Sequence, residues 1–371
     1  MDQGDQVTSL WVGDLHLCER TYAGRETQIG DPQYAWEQVI ERALELKKTS
    51  PAFTHVFLAG DVFNSKQPDP ATVSMFRKGC AKLNKQDIVI GVIQGNHDWR
   101  PVPWATAICP YVKHLHQKTI KVGKLTVAGL DYLADELVDL ALAAMEPADI
   151  LLCHQRWAEF AFEGAMLSIK NIPWKCQVFS GDTHKRILLR KDLNNVSVAI
   201  SPGATYMRKS DEPAEHFLFE LTQEGRWLQY PLQSRRVLRQ ELQTDDEVDV
   251  FLDNLPEALN KLADSAKELP EQLRTPIVVI RPGKLGPKAK HRVMAALRGV
   301  AHLFWSTVAE DDDEEAVQEA AAGGSTAFLE AAQQRFKKKP ITFGMLKRIW
   351  NSSNPREELN LMRKEKFGDA N

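Results

Sequence analysis

Three observations predict an α/β protein built largely on parallel strands. Short apolar runs at 7–12, 54–59 and 87–93 are rich in β-branched residues and bounded by polar and glycine punctuation, as buried strands are. Helical periodicity fills the gaps. Trp36, Val39, Ile40, Ala43 and Leu44 share one face of a segment spanning about 34–48, and Val73, Phe76, Cys80 and Leu83 share one face of the next. The order strand, helix, strand, helix, strand is that of βαβ units. Third, the runs end in Gly13-Asp14-Leu15-His16, Gly60-Asp61 and Gly95-Asn96-His97-Asp98, so polar candidates gather where open α/β sheets place ligand sites.

Beyond Ile93 the pattern is less regular. Residues 119–127 read as a hairpin around Gly123 and 136–144 as a helix. A strand at 148–153 ends at His154, and one at 177–180 ends in Gly181-Asp182-Thr183-His184. Alternating strands at 186–189, 196–200, 216–221 and 227–231 are expected to form the second sheet of a sandwich, closing a domain of residues 1–233. A compositional shift near Ser234 opens a small α+β unit, 234–309, with strands at 237–242, 276–280 and 301–308 and helices at 247–266 and 288–297. Residues 310–326 combine an acidic run with Gly323-Gly324-Ser325 and read as a flexible linker. Residues 327–371 read as basic and helical.

At 371 residues, with 43% hydrophobic and 26% charged residues, the chain is an ordinary globular protein long enough for two or three domains. A net charge of −3 excludes a general basic coat for nucleic acid while leaving room for local patches. The five cysteines (Cys18, Cys80, Cys109, Cys153, Cys176) are scattered and unpaired in spacing. That argues against a disulfide framework or thiolate zinc site and for a reducing compartment. A polar, acidic N-terminus is not a signal peptide, and no apolar run approaches the ~18 to 20 residues that span a bilayer. No membrane association is expected, and a cytoplasmic location is.

The strand ends carry Asp14 and His16, Asp61, Asn96 with His97 and Asp98, His154, and Asp182 with His184. This oxygen and nitrogen set, without thiolates, suits manganese, magnesium, iron or zinc. Asp14/His16 and Asp182/His184 each have one residue between them, which lets both side chains face one point in a tight turn. Two metals ~3.5 to 4 Å apart form a clamp for in-line attack on phosphorus. Asn96 offers a neutral oxygen, His97 can donate a proton near neutral pH, and Asp98 can hold that imidazole in one tautomer.

The ordered motifs resemble those of calcineurin-like metallophosphoesterases over roughly residues 7–232. That family's pattern runs Asp-x-His, Gly-Asp, Gly-Asn-His-Asp or -Glu, a lone His, then Gly-His-x-His. The resemblance implies a four-layer β-sandwich flanked by helices and two divalent ions, manganese above all, with magnesium possible. One ion would be held by Asp14, His16, Asp61 and His184, and the other by Asp61, Asn96, His154 and residue 182. Asp61 would bridge, His97 would be proton donor or transition-state stabiliser, and Asp98 its orienter. Position 182 departs from the family, being Asp where His is usual. Three carboxylates (Asp14, Asp61, Asp182) against two dications leave a formal charge of +1 in place of +2. Hydrolysis favouring alkaline pH or manganese is the resulting expectation.

Further features are similar to those of SbcD-type DNA exonuclease subunits: the Gly60-Asp61-Val62-Phe63 stretch followed by Pro68, the Ser201-Pro202-Gly203 turn, the exit at Arg235-Arg236, and an α+β capping domain of matching order and size. That resemblance implies exonuclease and endonuclease action on DNA in recombination, repair or replication, in a bacterial or bacteriophage setting. Expected partners are DNA, an SbcC-type SMC-like coiled-coil ATPase and a second copy of the chain. The segment 327–371 either docks on that ATPase or packs on its own domain. Lys185, Arg186, Arg208 and Lys209 are candidate phosphate contacts, each equally readable as solubilising surface charge, and Arg100, right after the Asn-His-Asp turn, is the better candidate on proximity alone. Trp99, Trp104, Tyr111 and Tyr206 read as base-stacking or core residues.

Overall fold

The computed structural model describes residues 6–19, 29–160, 165–190 and 193–306. All belong to one compact unit, Met1–Ser306. The expected linker at 310–326 and terminal segment at 327–371 lie outside the described residues.

The chain opens on β1 (Val7–Val12), α1 (Asp31–Thr49), β2 (His55–Ala59), α2 (Pro70–Asn84) and β3 (Val89–Ile93). Local chemistry sets these boundaries. At the start of α2, the Asp69 carboxylate accepts from Thr72 N at 2.8 Å and Pro70 occupies the first turn, where no backbone donor is needed. A short α3 (Trp104–Ile108) and β4 (Val112–His114) follow, then the hairpin β5 (Lys118–Val122) and β6 (Leu125–Leu130), α4 (Asp135–Ala144), β7 (Ile150–His154) and β8 (Cys176–Gly181). Next come β9 (Ile187–Leu189), β10 (Val196–Ser201), β11 (His216–Thr222) and β12 (Trp227–Leu232).

Two six-stranded mixed sheets result, ordered β12-β11-β1-β2-β3-β4 and β5-β6-β7-β8-β10-β9. The expectation that the four strands from β9 to β12 form one sheet is corrected. Only β9 and β10 join the second sheet. β11 runs antiparallel to β1, with Leu10 opposite Glu220 and Trp11 opposite Phe219, so it completes the first sheet on the edge that β2 leaves open. Local alternation says which residues face inward; it does not say which distant edge needs a partner.

Side chains alternate between two cores. Leu10, Val12, Val56, Leu58, Ile90 and Val92 face the layer containing α1 and α2. Trp11, Phe57, Ala59 and Ile93 face the other way, against Ile150, Leu152, Phe179 and Ile200 of the second sheet. Leu151, Cys153 and Val178 point outward to the layer with α4. The central strands are therefore covered on both faces, which is why they read as continuous apolar runs. Trp11 lies 4.2 Å from Phe57 and 5.3 Å from Phe179 between ring centroids, fixing the two sheets face to face.

Strands β13 (Val237–Leu242), β14 (Ile277–Pro282) and β15 (His302–Trp305) form a separate parallel sheet, connected by α5 (Asp245–Ser265) and α6 (Pro287–Leu297). Its helices cover one face through Val248, Phe251 and Val293 on Val278 and Ile280. Ile277, Val279 and Phe304 on the opposite face pack against Met207, which belongs to the loop after β10. At the entry to this sheet, buried Arg235 makes Nε and Nη2 bonds of 3.0 and 2.9 Å to the Asp31 carboxylate at the start of α1. Its Nη1 donates to Thr275 O at 2.8 Å.

Candidate metal centre

The polar strand ends converge. β1, β2 and β3 of the first sheet supply Asp14 with His16, Asp61, and Asn96 with His97 and Asp98; β7 and β8 of the second supply His154, and Asp182 with His184. This convergence demands close backbone approach. A Cβ on Gly95 would stand 1.9 Å from Asp61 Oδ1, and one on Gly60, whose φ is 83°, would stand 2.4 Å from His154 Nδ1. Glycine before the ligand is thus a steric requirement. His16, Asp61 and Asp182 themselves have φ of 42°, 45° and 80°, a left-handed backbone that costs non-glycine residues of order 1–3 kcal/mol each. The surrounding ladders hold them there and aim their side chains inward.

Two donor sets share Asp61: His16, Asp61 and His184 in one, Asp14, Asp61 and His154 in the other. Asp61 Oδ2 lies 3.5 Å from His16 Nε2 and 3.5 Å from His154 Nε2. His16 Nε2 and His184 Nε2 are 3.1 Å apart. Asn96 Oδ1 and Asp182 Oδ1 lie 3.2 and 3.6 Å from His154 Nε2. All seven expected ligands therefore meet around the Asp61 carboxylate. His97 contributes a half-exposed ring, 4.9 Å from His16 between centroids, at the solvent side.

The donor chemistry fits cations. Asp14 and His16 are fully buried and Asp61 is 1% exposed. Asp14 Oδ2, Asp61 Oδ2 and His16 Nδ1 have no hydrogen-bond partner. Stranding carboxylate oxygens in a buried site costs several kcal/mol unless a positive charge meets them. Two imidazoles are also held by their outer nitrogens: His154 Nδ1 is 2.7 Å from Ala59 O, and His184 Nδ1 is 2.6 Å from Glu212 Oε1. Such contacts fix ring orientation and free Nε2 for a ligand.

Burial lifts Asp14 to about 6, against the pull of His154 and His184. For Asp61 burial acts the same way but loses to His154 and His97, leaving the carboxyl well below its ordinary range. Burial also works against a charged His154, yet Asp61, Asp14 and Asp182 hold it well above the ordinary imidazole value. His16 is lowered by burial and then by the Arg208 guanidinium. Glu212 is drawn down to about 2 because His184 and Arg208 outweigh its burial.

Asp98 has a duty that assigning it to the His97 ring did not foresee. Its Oδ2 accepts from Val62 N at 2.8 Å and Phe63 N at 3.3 Å, and its Oδ1 accepts from Gly95 N at 2.9 Å. The carboxylate clamps the Asp61 loop to the Asn96 loop. Of the candidate phosphate contacts, Arg208 reaches the centre, with Nη1 at 2.7 Å from His16 Nε2 and Nη2 donating to Asn64 Oδ1 at 2.8 Å. Arg100 donates to Lys66 O at 3.1 Å and lies over Trp104, and Arg186 donates to Gln229 Oε1 and lies over Phe217. Both guanidinium groups thus have partners within the fold. Lys185 is exposed, and Lys209 donates its backbone N–H to Glu212. Tyr206 is buried and donates to His16 O at 2.8 Å, a core role, whereas Trp99 and Tyr111 are exposed.

Two participants escaped the sequence reading. Arg156 Nε lies 3.1 Å from Asp182 Oδ2, and Glu212 holds His184. Arg156 follows His154 by two residues, a proximity that could have flagged it; Glu212 carried no spacing signal.

No family model matches the chain. One solved structure aligns with 61% of the chain and 98% of its own length, at 12% identity and a TM-score of 0.38, a likeness too remote to carry a conclusion.

Proposed function

We propose that the protein is a two-metal phosphodiesterase hydrolysing DNA phosphodiester bonds, as an exonuclease and endonuclease subunit of the SbcD type with a calcineurin-like metallophosphoesterase sandwich. The observation that supports this most is Asp61, a buried carboxylate whose Oδ2 makes no hydrogen bond and lies 3.5 Å from both His16 Nε2 and His154 Nε2, between two convergent donor sets. Asp14, His16, Asp61 and His184 would hold one divalent ion, and Asp61, Asn96, His154 and Asp182 the other, manganese being the first candidate and magnesium the second. Bound ions supply positive charge at phosphorus and an activated water.

The chain's own groups do the rest. His97, at the open side, gives a proton to the leaving oxygen. Arg208, with Nη1 beside His16 and Nη2 on Asn64, places a fixed positive charge at the edge of the centre. Asp98 keeps the Asp61 and Asn96 loops in register. DNA as substrate, an SMC-like ATPase bound through residues 327–371, and a homodimer rest on the motif resemblance.

The test is manganese-dependent degradation of end-labelled linear DNA. Wild type should digest it, and His97→Ala should lose on the order of 10²-fold or more. Cleavage of a small aryl phosphodiester without DNA digestion would keep the metals and reject DNA. Inactivity with no bound metal would leave a scaffold.

A further inference from the structure

The loop after β10 touches the metal centre at one end and the three-stranded sheet at the other. Glu212, 2% exposed, faces inward. Its Oε1 holds His184 Nδ1 at 2.6 Å, while its Oε2 accepts from Arg208 N at 2.5 Å and Lys209 N at 3.1 Å. The carboxylate therefore fixes one imidazole of the His16/His184 pair and the backbone of the arginine that reaches the same pair. From the other side, Arg239 of β13 donates Nη1 to Ser210 O and Nη2 to Glu212 O. Met207 at the start of the loop is buried among Ile277, Val279 and Phe304 of that sheet. The loop is thus gripped at Met207, Ser210 and Glu212 by residues of the small sheet, and none of these grips belongs to the domain that supplies the ligands.

We propose that Glu212 is the positioning residue for the His16/His184 half of the centre, and that Arg239 holds Glu212 in place, so that the seating of the small sheet sets the affinity of one of the two cation positions. The inference rests on the metal reading above. The second donor set, Asp14, Asp61 and His154 with Asn96 and Asp182, meets this loop through the Asp14 backbone O, which accepts from Thr205 N at 3.2 Å and Thr205 Oγ1 at 3.3 Å. A disturbance arriving through Glu212 falls on one half.

The experiment is Mn2+ binding by calorimetry on the full chain, with thermal unfolding as a check on the fold. Wild type should bind two ions. Glu212→Gln should weaken one of the two about 10–100-fold, the range for losing the hydrogen-bond partner of a ligating histidine, and leave the other unchanged. Arg239→Ala, which does not touch the centre, should weaken the same ion by a smaller factor. If Arg239→Ala does not fold, Arg239→Lys, which keeps the charge but not the fork, takes its place. Wild-type binding of both ions in both variants overturns the inference, as does equal weakening of the two ions, which would mark a general loss of structure. A wild type that binds no Mn2+ removes the metal reading itself.

Discussion

Asp182 changes meaning once its neighbour is known. Alone, a carboxylate in place of the usual imidazole lowers the formal charge of the centre, which is why alkaline pH or manganese was expected. The Arg156 guanidinium beside it returns that charge. Arg156→Gln should therefore move the pH–rate profile to higher pH, and Asp182→His added to it should bring the profile back; a profile indifferent to both would remove the charge argument. A second pH effect comes from the raised groups. Asp14, lifted to about 6, and His154, held well above the ordinary imidazole value, take up protons as pH falls, and a cation must displace them. Apparent Mn2+ affinity should fall as pH drops through about 6, where Asp14 takes up its proton, with proton release on binding measurable as a buffer-dependent heat. The convergence of the seven candidate ligands was legible because each lies at or just beyond a strand end. Glu212 and Arg156 were not, because the partner of an ion pair can come from any distance in the chain and leaves no periodic trace.

At the scale of elements, the core strands and both long helices of the larger domain were legible, since period-2 and period-3.6 apolar patterns are local. β4 and α3, three and five residues long, are too short to carry a period. The destination of β11 and β12 was misread for a different reason: sheet membership is decided by which edge is open. The layer between the sheets depends on a few aromatics. Phe179 is fully buried, with ring centroids 5.3 Å from Trp11 and 5.5 Å from Trp227. Phe179→Ala should cost roughly 3–5 kcal/mol in urea unfolding, the range for emptying an aromatic site in a packed core. A loss well under 1 kcal/mol would mean that the two sheets do not depend on this contact.

At the scale of the whole unit, the small sheet is joined to the larger domain by arginines. Arg235 binds Asp31 with both almost fully buried. Arg235→Ala should cost roughly 3–5 kcal/mol, because the buried Asp31 carboxylate loses its forked cationic donor. Arg235→Met combined with Asp31→Leu should cost less than the single change, since no charge is then stranded. Denaturant midpoints of the three variants check this. Among the described residues no helix is long and apolar enough to cross a membrane.

β1 has a consequence in time. It lies between β2, which follows it closely, and β11, whose residues are written more than 200 positions later. The centre it carries draws on the chain as far as His184, and its brace on Glu212. During synthesis the first candidate ligands leave the ribosome long before the last ones exist, so a nascent chain has no braced centre until Glu212 has been made. Such distant pairings also fold slowly. In the proposed reading, cutting power is withheld from every product that stops short of Glu212, and a cell makes this hydrolytic centre only together with the sheets that confine it.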